Sequence, residues 1–259
     1  MSAFQLDLSK EFAGKRAIVT GGSRGIGASV AQRLIDGGAN VVVVARSRHE
    51  QTPAAAHFVR GDLGSEAGAK AVGVEALRIL GGLDILVNNA GAARVHLPSS
   101  EAISDAEWLD SLNINFMSAV RLSYAVLPAL KASASGAIVH VSSGGRAAFA
   151  GPLMHYGAAK APLNNFSEGL AKELAPLGIR VNVVTPGPIV TPGGDEVRST
   201  ITSAMGITSE QFYSAVPLQG RAGQPEELAE MIAFLVSPRA AYVTGHNHFV
   251  SGGWGELSL

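Results

Sequence analysis

Short runs of β-branched and aliphatic residues recur along the chain, separated by segments whose apolar positions repeat at helical spacing. The runs lie at 15–20 (KRAIVT), 39–45 (ANVVVVA), 56–60 (AHFVR), 83–88 (LDILVN), 136–142 (GAIVHVS), 179–185 (IRVNVVT) and 246–250 (HNHFV). Amphipathic stretches at 25–37, 65–80, 105–131, 153–176 and 225–237 fill the gaps. That alternation predicts an α/β fold, a single-domain doubly wound (Rossmann-type) parallel sheet of seven strands with helices on both faces. Two connections stand apart. The segment 46–55 is short and contains Pro53, with room for no more than a turn of helix. The segment 192–220 has no strand period and exceeds an ordinary connection, which predicts a substrate lid within the one domain of 1–259.

Composition narrows the chemistry. Apolar residues make up 47% of 259 positions and glycine occurs 31 times, as expected of buried parallel strands joined by tight turns. The absence of cysteine excludes a disulfide framework, a thiolate nucleophile and any cysteine-bearing zinc site. A formal net charge of -1 provides no basic field for nucleic acid. No uncharged apolar run approaches the ~20 residues of a membrane span, and MSAFQLDLSKEFAGKR at the start lacks the apolar stretch of a secretion signal. A soluble cytoplasmic protein with neither nucleic-acid nor membrane partners is expected. The seven histidines, at 49, 57, 96, 140, 155, 246 and 248, show no HExxH spacing, so no metal site is expected.

TGGSRGIG at 20–27 lies between the first strand and the first helix. In that context Gly21, Gly25 and Gly27 allow a tight turn, close backbone approach and close helix-to-strand packing, while N–H groups at the helix start face a pyrophosphate. A dinucleotide site usually places an acid at the end of the second strand to bind the adenosine ribose diol. Here that strand ends in Ala45, Arg46 and Ser47, and Arg24 lies within the glycine turn. Two guanidinium groups suit a 2′-phosphate, which favours NADP(H) and leaves NAD(H) as the alternative.

YGAAK at 156–160 puts a phenol and an ammonium four residues apart on one helix face. A phenol with an ordinary pKa of ~10 is a poor acid and a poor base near neutrality. A cation ~4 Å away is worth about 4 kcal/mol at an effective dielectric of about 20, enough to lower that pKa by roughly three units. Lys160 is thus expected to acidify Tyr156. Ser142 and Ser143 end the fifth strand at the carboxyl edge of the sheet, where doubly wound folds bind ligands, and a hydroxyl there can hold a substrate oxygen.

TGGSRGIG, NNAG at 88–91, Asn115, Ser143, YGAAK and the PG of TPGPIVT at 185–191 together resemble the short-chain dehydrogenase/reductase family. The resemblance continues in GQPEELAEMIAFLVSPRAAYVTG at 223–245 and VSGGW at 250–254. It implies that Tyr156 is the general acid in reduction, that Ser143 orients the substrate oxygen, and that Lys160 holds the nicotinamide ribose. Asn115 would support a proton relay to Lys160. Cofactor contacts are implied from Gly21, Ser23, Arg24, Gly25, Ile26 and Gly27, from Asp62 and Leu63 at the adenine, and from Asn89, Ala90 and Gly91. Pro186, Gly187, Ile189 and Thr191 would seat the nicotinamide. Asp62 also reads as a helix cap in GDLGSE. Ser251 departs from the family, which commonly carries Asp before this Gly pair.

Specificity rests on loops that vary independently of the catalytic group. Arg94 and His96 after NNAG, Gly145, Arg146 and Met154 before Tyr156, and Phe212 in the lid are the candidate substrate contacts. A ketone, a 3-oxoacyl thioester or a secondary alcohol all fit. The function expected is reduction of a carbonyl with NADP(H). NAD-dependent alcohol oxidation and a non-catalytic dinucleotide sensor are the alternatives. The resemblance further implies a homotetramer, or a dimer, with helices 105–131 and 153–176 at one interface.

Overall fold

A computed structural model describes residues 7–143 and 151–255. Gly145 and Arg146 lie outside the described residues. Among those described, seven strands form one sheet in the order β3-β2-β1-β4-β5-β6-β7, with every neighbouring pair parallel. The strands are β1 (Arg16–Thr20), β2 (Asn40–Ala45), β3 (His57–Arg60), β4 (Ile85–Asn88), β5 (Ala137–Val141), β6 (Arg180–Pro186) and β7 (Asn247–Val250). Every anticipated strand is present, within two residues at either end.

Successive strand residues point to opposite faces, and both faces are apolar. Ile18, Val42, Val44, Leu86, Ile138 and Val181 pack under α2 (Glu66–Leu80), α4 (Ser118–Lys131) and α6 (Pro162–Leu174), where they meet Val72, Leu122, Val126, Leu130 and Leu174. Val19, Val41, Val43, Val87, Val139 and Val184 pack on the other face under α1 (Gly25–Asp36) and α9 (Pro225–Val236), against Val30, Leu34, Leu228 and Ile232. At roughly 2 kcal/mol for each fully buried aliphatic side chain, these two layers dominate the stability of the fold.

The helix expected over 105–131 is interrupted. It runs as α3 (Asp105–Leu112), a π-helical turn (Asn113–Met117) and then α4. The helix expected over 153–176 divides into α5 (Met154–Lys160) and α6, because Pro162 has no N–H to continue the ladder and instead opens the next helix. The 46–55 connection contains no helix. The 192–220 segment holds α7 (Pro192–Met205) and α8 (Ser209–Tyr213), so it is a helical insertion. No helix among the described residues is long and apolar enough to cross a membrane.

The sheet order reverses between β1 and β4. Doubly wound sheets bind ligands at such a point. The described candidate residues lie on segments that follow the carboxyl ends of the strands.

Candidate active site

The glycine turn is bound to the end of β4 by a small set of bonds. Thr20 Oγ1 accepts from the backbone N–H groups of Asn89 (3.0 Å) and Ala90 (2.9 Å), while Asn89 Nδ2 donates to the carbonyls of Thr20 (3.0 Å) and Gly21 (3.3 Å). Space here is limiting. A Cβ on Gly27 would lie 2.4 Å from the Gly21 carbonyl oxygen and 2.5 Å from Asn89 Nδ2, closer than side chains tolerate. Gly21 and Gly25 adopt left-handed backbone, with φ of 63° and 55°, which glycine takes up without strain. Asn89, anticipated as a cofactor contact, therefore uses its amide to shape the turn.

Ser23 is buried, whereas Arg24, Arg46 and Ser47 are exposed. Among the described residues neither Arg24 nor Arg46 forms an ion pair. The connection after β2 folds back over the turn. Gln51 Oε1 accepts from the Gly25 N–H at 3.0 Å, and Thr52 Oγ1 donates to the Ser23 carbonyl at 3.2 Å. Sequence reading missed both residues, because nothing local marks a polar side chain in this loop as a partner of a turn 26 positions away.

Asp62 is exposed and its Oδ1 accepts from the Gly64 N–H at 2.9 Å. It does not cap α2. Ser65 does so by accepting from the Gly68 N–H at 3.1 Å, one residue before the first helical position, where an N-cap belongs. Leu63 turns its side chain into the core. Ile26 and Ala90 are partly buried and pack on the cores of opposite sheet faces.

Beyond β6, Gly187 donates its N–H to the Val250 carbonyl at 3.0 Å. A Cβ there would sit 2.7 Å from the Ser251 backbone, so this crossing requires glycine. Ile189 bridges to Gly223 and is buried, and Thr191 Oγ1 caps α7 by accepting from the Gly194 N–H at 3.0 Å. Pro186 closes β6. These residues hold the start of the helical insertion against the sheet edge.

The structure brings the four candidate catalytic residues to the ends of β4 and β5. Ser143 follows β5, and its hydroxyl forms a hydrogen bond with the Tyr156 phenol on α5. Ser142 packs behind, with its Oγ donating to the Lys160 carbonyl at 3.4 Å. Lys160 is buried and its Nζ donates to the Val141 carbonyl at 2.9 Å. Asn115 lies in the π turn and is 1% exposed. Its amide reads the backbone of Ala92 in both directions, donating to the carbonyl at 2.9 Å and accepting from the N–H at 3.0 Å. Gly91 is the meeting point. A Cβ at this position would lie 2.8 Å from Asn115 Oδ1 and 3.1 Å from Lys160 Nζ.

The acid–base balance differs from the sequence expectation. Burial pushes the Tyr156 phenol above its ordinary value, and the Ser143 hydrogen bond opposes that rise. Burial also lowers Lys160 to about 8. Lys160 is itself desolvated and bonded to a carbonyl, so burial, and not the neighbouring cation, dominates the phenol. The lysine at neutral pH stands close to its own titration.

The anticipated substrate contacts divide. Arg94 pairs with Asp110 on α3 at 2.8 Å, so its charge already has a partner. His96 stands 3.4 Å from Glu107 and packs edge-on against His155, with ring centroids 4.8 Å apart. His155 also meets the Trp108 ring edge-on, and it is a packing residue beneath α3. Met154 is exposed at the start of α5. Phe212 on α8 stacks on Trp254 at 5.3 Å, a contact that the VSGGW string did not suggest. No group of three metal-ligating side chains occurs among the described residues.

A family profile described as enoyl-(acyl carrier protein) reductase matches residues 21–255. The 3-oxoacyl-[acyl-carrier-protein] reductase of Vibrio harveyi is 38% identical over 249 residues, covering 93% of this chain and 97% of that protein. The chain belongs to the short-chain dehydrogenase/reductase family. Among solved structures, the aldohexose dehydrogenase of Thermoplasma acidophilum superposes with a TM-score of 0.84 at 28% identity, covering 95% of this chain and 96% of that one. Levodione reductase also gives a TM-score of 0.84 at 28% identity, over 93% and 98% of the two chains. The protein is accordingly an oxidoreductase that depends on a nicotinamide dinucleotide and acts on CH–OH or C=O groups of small molecules. The crowded glycine turn, with the start of the 12-residue α1 beside it, fits the pyrophosphate of such a cofactor.

Proposed function

We propose that this short-chain dehydrogenase/reductase reduces the ketone of a 3-oxoacyl thioester or of a comparable medium-sized substrate, with NADPH as coenzyme. The observation that carries this reading is the Tyr156 phenol, hydrogen-bonded to Ser143 and raised in pKa by burial. A phenol that keeps its proton at neutral pH is suited to giving it to a carbonyl oxygen, and less suited to taking one from an alcohol. The reductase name of the Vibrio harveyi relative supports the thioester class. The exposed Arg24 and Arg46, with Ala45 and no acid at the end of β2, support a coenzyme carrying a 2′-phosphate.

The bound coenzyme supplies the hydride that reaches the carbonyl carbon. The chain's own residues do the rest. The Ser143 hydroxyl holds the carbonyl oxygen in place. Tyr156 gives that oxygen its proton, so the product is an alcohol. Lys160, held beside Gly91 together with Asn115, binds the nicotinamide ribose and passes the replacement proton toward Tyr156. Gly21, Ser23, Arg24, Gly25, Ile26 and Gly27 receive the pyrophosphate and the 2′-phosphate. Asp62 and Leu63 flank the adenine, and Pro186 to Thr191 the nicotinamide.

The same reading makes 192–220 the substrate lid, and makes the helices of 105–131 and 153–176 the interface of a homotetramer or dimer. The exposed Leu109 and Tyr124 support the latter. The profile's description raises a second reading, reduction of a C=C bond conjugated to an acyl carbonyl. Following the absorbance of reduced nicotinamide with acetoacetyl and crotonoyl thioesters tests both. Turnover of the 3-oxo compound with NADPH is expected. Turnover of the crotonoyl compound alone would replace the proposal with the second reading.

A further inference from the structure

Ser111 is a buried residue on α3 to which neither the family motifs nor the proposed chemistry assigns a role. It is 6% exposed and stands one turn before Asn115. Its hydroxyl donates to the carbonyl of His155 at 3.2 Å and accepts from Asn115 Nδ2 at 3.3 Å. The Ser111 carbonyl accepts from the same Nδ2 at 3.1 Å. His155 immediately precedes Tyr156, so one small side chain joins the π turn to the backbone that carries the phenol.

We propose that Ser111 is a positioning residue that couples the Asn115 amide to the backbone carrying Tyr156. A serine kept only to fill space would leave its hydroxyl desolvated at a net cost, and alanine would serve better. Here the hydroxyl spends both its proton and a lone pair on the two segments that carry proposed catalytic side chains. The surroundings add to the constraint. His155 on α5 packs edge-on against Trp108 on α3 and against His96, so ring contacts accompany the Ser111–His155 hydrogen bond between the two helices. The Asn115 amide is bonded at both its atoms to Ala92 and also to the Ser111 carbonyl, so loss of the hydroxyl keeps those bonds and removes the one through which the amide is linked to α5. Loss of the same hydroxyl leaves the His155 carbonyl without its cross-link to α3, and Tyr156 begins one residue later.

Reduction depends steeply on where the proton donor stands, since a displacement of about 1 Å costs on the order of a hundredfold in rate. A hydrogen bond to each partner limits a smaller displacement. Ser111→Ala is therefore expected to lower kcat by about tenfold while leaving KM for ketone and for coenzyme within about twofold. The decisive measurement is a double-mutant cycle of Ser111→Ala and Asn115→Ala, with kcat, both KM values and melting temperature recorded for all four proteins. If Ser111 acts through Asn115, the double variant loses less than about twofold beyond Asn115→Ala alone. A melting temperature lowered with kcat unchanged, or losses that multiply in the double variant, would overturn the inference. It rests on the proposed roles of Asn115 and Tyr156, and a Tyr156→Phe control separates the two failures. Unchanged turnover in that control sinks the functional reading. Lost turnover there, beside normal kcat in Ser111→Ala, sinks only this inference.

Discussion

Lys160 donates from Nζ to the Val141 carbonyl at 2.9 Å, which joins the end of β5 to α5 by one buried bond. Because burial disfavours its ammonium, Lys160 titrates near 8 and not at its ordinary value of 10.5. The charged form is lost as pH rises through about 8. The value of kcat/KM for reduction, which reports groups of the free enzyme, is expected to fall above that point. Lys160→Met should show a lower plateau without this break. A profile with the same break in both proteins would rule out Lys160 as its source.

Thr20 predicts a stability effect. Its hydroxyl serves two backbone N–H groups, those of Asn89 and Ala90, and valine has the same shape without the acceptor. Each unpaired N–H costs about 1–3 kcal/mol. Thr20→Val should lower the melting temperature by on the order of 5–10 °C and weaken coenzyme binding, because the glycine turn loses its anchor to β4. Calorimetry and a coenzyme titration check both. An unchanged melting point would mean that the turn is held by packing alone.

Acid sensitivity follows from His140, fully buried on β5 beside Asn88, with burial and the charge of Lys160 holding its pKa at about 3. The unfolded chain takes up this proton near 6.5, well before the native state does. The native state therefore has its full advantage above 6.5 and loses it as pH falls toward 3, at about 1 kcal/mol per pH unit. Asp84, held near 2 against burial by Arg16 and Ser133, adds its own loss only below 3.8. Urea unfolding at a series of pH values should show the slope between these limits, and His140→Leu should flatten it. A slope unaltered by that substitution would assign the acid sensitivity to other groups.

Coenzyme choice is expected to follow Arg24 and Arg46. A charge-assisted bond to a phosphate is worth about 1.5–3 kcal/mol, so alanine at either position should raise KM for NADPH by roughly tenfold to a hundredfold and leave NADH little changed. Equal losses with both coenzymes would assign the arginines to the shared pyrophosphate.

The sheet was legible because parallel strands buried on both faces leave unbroken aliphatic runs, such as Val41 to Val44, that helices do not match in length. The motif residues were legible for a related reason, since the glycines, Tyr156 and Lys160 satisfy local spacing rules. What escaped depends on partners distant in sequence. Nothing within 105–131 marks the π turn, which contains neither glycine nor proline and includes Asn115, tied to Ala92 across 23 positions. The Gln51 bond to Gly25 and the Phe212 stack on Trp254 join segments whose proximity only the fold creates. Asp62 and Ser65 are both capping residues by type, and the register of α2 alone decided between them. Arg94 read as a candidate substrate contact until Asp110 on α3, 16 positions away, was brought beside it.

The role of Tyr156 as proton donor to a carbonyl is tested most directly by isotope transfer from NADPH deuterated at the transferable position, with acetoacetyl thioester and either the native protein or Tyr156→Phe. Mass spectrometry of the product should find one deuterium on the carbinol carbon from the native protein and about a hundredfold or more less product from the phenylalanine variant. Deuterium on any other carbon, or equal yields from the two proteins, would contradict the account.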